Sequence, residues 1–255
     1  MNSQYPLHIE KQQEQIYAES IGKLSRAINK KVKDEYDNLD SAKFAEIENS
    51  IYAELTKLYL TTEFLSVQFG NIGKLLDAWA YSKLKNYINQ AMRKNRNKFF
   101  SIMFEKDDPI IQEFMQGYVK KNIELVQALG KQYIPEITSL ASKTFLEGGS
   151  RKDLAYEMLK FTDGNKNKAK FYASDQVGDA YSEFTRVRQT SVGITEYMWK
   201  TMGDNAVRDA HIELEKIGKF TWKSGAAYTG LLTKPGAKHP SEDYRCRCNS
   251  EPVIE

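Results

Sequence analysis

What most limits how this chain can fold is a change of hydrophobic period at Gly193. As far as Ser191 the apolar residues recur three and four apart, which is one buried face of an α-helix. Beyond Gly193, Tyr197 and Trp199 alternate with Met198 and Lys200, as in a half-buried strand. The chain therefore reads as mainly α with a small C-terminal α+β unit. A helical body covers residues 1–149 and a second domain covers 150–255, with helices to 191 and the α+β unit at 194–255.

Within the body, Ile16, Ile21, Leu24, Ile28 and Val32 mark a first helix, and Asn38-Leu39-Asp40-Ser41 a break. Ile47, Ile51, Leu55, Leu58 and Tyr59 open a long helical pattern that resumes from Leu75 to Met92, with Gly70 and Gly73 as a bend or an end. Its basic tail holds Arg93, Lys94, Arg96 and Lys98, followed by Phe99-Phe100. Such a tail opposes a helix macrodipole, and beside aromatic rings it also suits single-stranded nucleic acid. Asp107-Asp108-Pro109 starts another helix, which meets Pro135; a further helix runs from Pro135 to Leu146. Ser150 begins the next, Thr162-Asp163-Gly164-Asn165 reads as a turn, and Ala169 to Ser191 is again helical.

A length of 255 residues allows one large domain or two modest ones. The net charge of +3 is far from that of a dedicated nucleic-acid binder. No apolar run approaches the ~20 residues that cross a bilayer, so no membrane partner is expected. The first residues lack the basic-then-apolar order of a secretory signal, so synthesis in a cytoplasm without export by that route is expected.

The α+β unit reads strand, helix, strand, long loop, strand. Asp204 is the expected N-cap of a helix from Asn205 to Ile217, ended by Gly218. On that helix Asp204 and Arg208 stand four apart, as an ion pair would, and His211 lies one turn on. The last strand is expected over Arg245–Val253, with Cys246 and Cys248 pointing the same way. Both cysteines of the chain and two of its three histidines fall in this unit. If the strand returns beside the helix, His211, His239, Cys246 and Cys248 converge as a tetrahedral zinc set. Two other readings stand beside this one. The cysteines are then small buried apolar residues and His211 a core histidine, or the cluster with Asp204 serves a metal-dependent nuclease or hydrolase.

The series Ala169-Lys170-Phe171-Tyr172-Ala173-Ser174-Asp175-Gln176, then Tyr197-x-Trp199-x-Thr201-x-x-Asp204-x-x-Val207-Arg208-x-x-His211, resembles the phage Mu F-type minor head protein family, also called the head morphogenesis family. The closing His239-Pro240-x-Glu242-Asp243-Tyr244-x-Cys246-Arg247-Cys248 resembles the same family's terminal signature. The chain departs from the pattern at Ser174, where arginine is common, and at Glu215, where glycine is common. The resemblance makes Asp175, Gln176, Trp199, Asp204 and Arg208 structural motif positions. It implies a non-enzymatic minor capsid protein of a tailed bacteriophage, sited in the virion near the portal inside the head. Its implied partners are the portal protein, other head proteins and packaged DNA, and its implied work is head assembly and DNA packaging or delivery.

Overall fold

The computed structural model describes residues 5–35, 62–94, 108–147, 151–223 and 238–254, with residues 46, 50 and 53. Among them the chain is mostly helical and ends in a small antiparallel sheet. The order is α1 (Leu7–Glu35), α2 (Thr62–Lys94), α3 (Pro109–Leu146), α4 (Arg151–Ser191), β1 (Glu196–Lys200), α5 (Asp209–Ile217), β2 (Lys219–Thr221) and β3 (Asn249–Pro252). None of the described helices is long and apolar enough to cross a membrane.

Two compact units are present, one of residues 1–11, 71–118 and 174–255, the other of residues 12–70 and 119–173. In the second unit Tyr17, Leu65, Phe69, Ile123, Val126 and Leu129 are buried. That core also holds polar groups. Asn122 is fully buried, and its Oδ1 accepts from Gln13 Nε2 at 2.8 Å and from Tyr17 Oη at 2.7 Å, which satisfies an oxygen that would otherwise be costly to bury.

In the first unit α2 buries Ile72, Leu76, Ala80, Leu84 and Ile88, four apart at each step, and α4 buries Val177, Tyr181, Phe184 and Val187. Asp108 starts α3 as expected: its Oδ1 accepts from Ile110 N at 2.9 Å, with Pro109 in the first turn. Arg188 is 4% exposed, and its guanidinium grips Asp77 through two 2.8 Å bonds.

Several expected helix breaks are absent. α2 passes through Gly70 and Gly73 without ending. Gly73 serves packing instead, because a Cβ there would run into Met115 Sδ. α3 continues through Pro135, so the two helices expected on either side are one. α4 runs unbroken over Thr162–Asn165. Turn-forming residues cost a helix only about 1 kcal/mol each, a weak preference that a 41-residue helix overrides. The expected break at residues 38–41, the face from Ile47 to Tyr59 and the loop at 225–237 lie outside the described residues.

α4 ends where the period changes. Gly193 sits at φ 80°, and Ile194 N donates back to Gln189 O at 2.9 Å. The sheet order is β2-β1-β3, antiparallel throughout, with Tyr197 opposite both Phe220 and Pro252 and Trp199 opposite Ser250. β1 alternates as expected: Tyr197 and Trp199 are buried between half-buried neighbours. They form a core with Leu214 of α5, Phe220, Trp222, Cys246 and Cys248.

Gly178 of α4 fits closely under the turn at residues 239–246, since a Cβ at 178 would stand 2.6 Å from Ser241 O and 3.5 Å from Cys246 O. The neighbours are backbone atoms and cannot swing aside. Gly178→Ala is therefore expected to destabilise the protein by about 1–3 kcal/mol, the usual cost of overpacking. Thermal unfolding checks this, and a melting temperature at or above wild type would mean the turn is loosely seated.

Candidate metal centre

The centre is built from one short helix and one strained turn. Residues 204–208 do not form the first turn of α5, which begins at Asp209 after the extended residue Arg208. Asp204 is thus not the N-cap. Its Oδ1 instead accepts from Ala206 N at 3.1 Å, which closes a local turn and displaces the expected helix start. The expected Asp204–Arg208 pair is also replaced. Arg208 meets Asp243 at 2.9 Å and bonds Tyr244 O, while Asp204 meets Arg247 at 2.7 Å.

The cysteines lie outside the last strand, which covers only Asn249–Pro252. The turn before it is tied to itself: Glu242 Oε2 accepts from His239 N at 2.8 Å, Cys246 N donates to Asp243 O at 2.7 Å, and Ser241 Oγ donates to Cys248 O at 2.6 Å. Ser241 and Arg245 are non-glycine residues at φ 73° and 51°. Backbone held there costs energy and persists where surrounding bonds fix it. The result points both cysteines at one place, through a turn rather than through strand alternation.

That place is His211. Cys246 Sγ lies 3.5 Å and Cys248 Sγ 3.4 Å from His211 Nδ1, and all three side chains are buried. The three donor atoms lie within 4.8 Å of one another and could hold a metal ion. A zinc ion with ordinary Zn–S and Zn–N bonds sets S···N edges of about 3.6 Å in a tetrahedron. One imidazole nitrogen has one lone pair, so it can accept from one thiol and not from two. Cys246 is held well below the usual thiol range by the hydrogen bond from Cys248, with His211 adding to it, and Cys248 is pushed up by that same bond and by burial. Two buried cysteine sulfurs beside one imidazole nitrogen suit a cation.

Further groups steady the ligands. His211 Nε2 faces Asp243 Oδ2 at 3.7 Å, on the carboxylate side that metal-binding histidines commonly use. Trp199 meets the His211 ring edge-on at 5.3 Å. A cavity of about 490 Å³ opens beside the cluster, with His211, Cys246, Cys248, Arg208, Arg245 and Arg247 in its wall.

His239 does not join the cluster. Its Nδ1 bonds Tyr197 Oη at 2.9 Å, and its ring packs on Trp222 at 4.9 Å. Burial holds its pKa below the ordinary value, and Arg186 adds to this. The unfolded chain takes up that proton near pH 6.5. The neutral ring's stability is therefore full above about 6.5 and is lost as pH falls toward the folded pKa. Wild type should lose more stability than His239→Gln between pH 7.5 and 5.5. Parallel slopes in urea titrations of the two would show that the ring does not contribute.

Of the other expected positions, Trp199 is 1% exposed, Gln176 is buried and Asp175 half-buried on α4. Arg93 is exposed at the end of α2 and Lys94 is its last residue, while Arg96 and Lys98 lie outside the described residues. Gly178 and Asp243 were given no role from the sequence. A glycine inside a helical pattern was the available signal for the first, and the acid beside the cysteines for the second.

A helical chain whose terminal sheet is closed by a His-Cys-Cys cluster is the class that fold and site define. Residues 136–251 match the family described as Phage Mu protein F like protein. A Haemophilus influenzae Rd protein, named only as an uncharacterized protein, is 26% identical over 162 residues. The match covers 64% of this chain and 34% of that protein, so the chain spans about a third of its relative's length. No solved structure matches.

Proposed function

We propose that the protein is a minor head protein of a tailed bacteriophage. It binds the portal vertex inside the head and assists assembly and DNA packaging or delivery, with the C-terminal unit braced by Zn²⁺ on His211, Cys246 and Cys248. The observation that carries this reading is the family match over 136–251, which takes in all of α4, β1, α5 and β2 and the turn bearing the cysteines. The cluster supports a bracing role. Its groups are buried in the core of the unit, and the charged residues around it are engaged in ion pairs that tie the segment leading into α5 to the turn.

Co-expression with the portal protein and the major head proteins tests the function. The chain should sediment with portal-containing assemblies; a chain that stays in the free fraction while those assemblies form would overturn the proposal. DNA contact through Arg93, Lys94, Arg96 and Lys98 should appear as affinity that falls steeply with salt and weakens when the four are neutralised. Incubation with metal and DNA addresses the hydrolytic alternative: turnover lost in His211→Ala would replace the bracing role with a catalytic one.

A further inference from the structure

We infer that the metal on His211, Cys246 and Cys248 keeps an open fourth position that takes a phosphate oxygen, from free phosphate or from a phosphodiester. The inference rests on the metal reading above and goes beyond its bracing role. Three donors converge among the described residues, one short of a closed tetrahedral set. The histidine that would complete it, His239, spends Nδ1 on Tyr197. Asp243 faces Nε2 of His211, the nitrogen away from the cysteines, and is not in the wall of the cavity. All three donor residues do line that 490 Å³ cavity, so the remaining position faces space large enough for a ligand.

The wall chooses the chemistry. Arg208, Arg245 and Arg247 meet there with Glu10 and Asp204, three guanidiniums against two carboxylates. Two of the arginines are held in place, Arg208 by Asp243 and Arg247 by Asp204. A guanidinium has five N–H donors in a fixed fork, so both keep donors for a ligand after making those pairs. Arg245 is exposed at the cavity's edge, in a backbone conformation fixed by the turn. A metal bound by two thiolates carries little net charge, so the arginines supply the attraction for an oxyanion. Arginine forks match phosphate geometry, which favours phosphate over a neutral ligand.

The test loads the full chain with Co²⁺ in place of zinc and follows its visible spectrum. Inorganic phosphate should shift the d–d bands saturably, and Arg245→Gln should weaken that response about tenfold while its cobalt bands keep their thiolate character, which shows that the cluster still forms. A second arm uses a short single-stranded oligonucleotide. A response at lower phosphate-group concentration than free phosphate assigns the site to nucleic acid, and a response to free phosphate alone assigns it to a small oxyanion. Bands that form with thiolate character but move with neither ligand would overturn the open position and leave the metal brace standing. Failure of cobalt to bind at all would remove the metal reading and this inference together, while leaving the head-protein reading to its sedimentation test.

Discussion

Stripping the metal with a chelator is expected to lower the melting temperature of the purified chain by about 10 °C, and Cys248→Ser to produce the same loss without chelator. An ion present at about a thousand times its dissociation constant stabilises the folded state by about 4 kcal/mol. In a protein of this size each kcal/mol moves the melting point by about 2–4 °C. The cluster lies in the same core as Trp199, Tyr197 and Leu214, so loosening it loosens the junction between α5 and the sheet. The two cysteines would then be left facing His211 with no ion between them. Calorimetry with elemental analysis decides the matter: about one zinc per chain and a chelator-sensitive transition are expected. A metal-free chain with an unchanged transition would leave the cysteines as small packing residues.

Asp77→Ala should cost about 3–5 kcal/mol, because it leaves the guanidinium of Arg188 in the interior without its carboxylate. Arg188 is 4% exposed and Asp77 17%, and two 2.8 Å bonds join them. Joint replacement, Asp77→Ala with Arg188→Met, should recover much of the loss, since it removes the buried charge as well. The readout is the urea midpoint at constant slope. A single variant within about 1 kcal/mol of wild type would show that the pair is solvated.

Much of this was legible in the residues. The switch at Gly193, the alternation of Tyr197 and Trp199, and the strand-helix-strand-strand order follow from periodicity, because half-buried strands and helices impose different spacings. The junction of His211 with Cys246 and Cys248 was expected, but for a different physical reason. The cysteines are aimed by Ser241 and Arg245 at positive φ, and nothing in the spelling of those residues announces a left-handed backbone. The pairing of Asp204 with Arg247, and of Arg208 with Asp243, was hidden for a related cause. Local helical spacing offered Asp204 a partner four residues on, and contacts between residues 35 and 43 positions apart displaced it. Turn composition at Thr162–Asn165 misled because local preference is weak beside a long helix.

The polar bolts between α4 and the sheet have a consequence for inheritance. Tyr181 Oη donates to Asn249 at 2.6 Å, Gln189 Nε2 to Ser250 O at 3.0 Å, and Trp222 Nε1 to Gln189 Oε1 at 3.0 Å, all out of reach of water. A gene fragment cut at Ile194 would encode strands whose inner polar groups had lost their counterparts. Exchange of this terminus between related genes is therefore expected to succeed only with the preceding helix attached, and the family match over residues 136–251 takes in the whole of that helix.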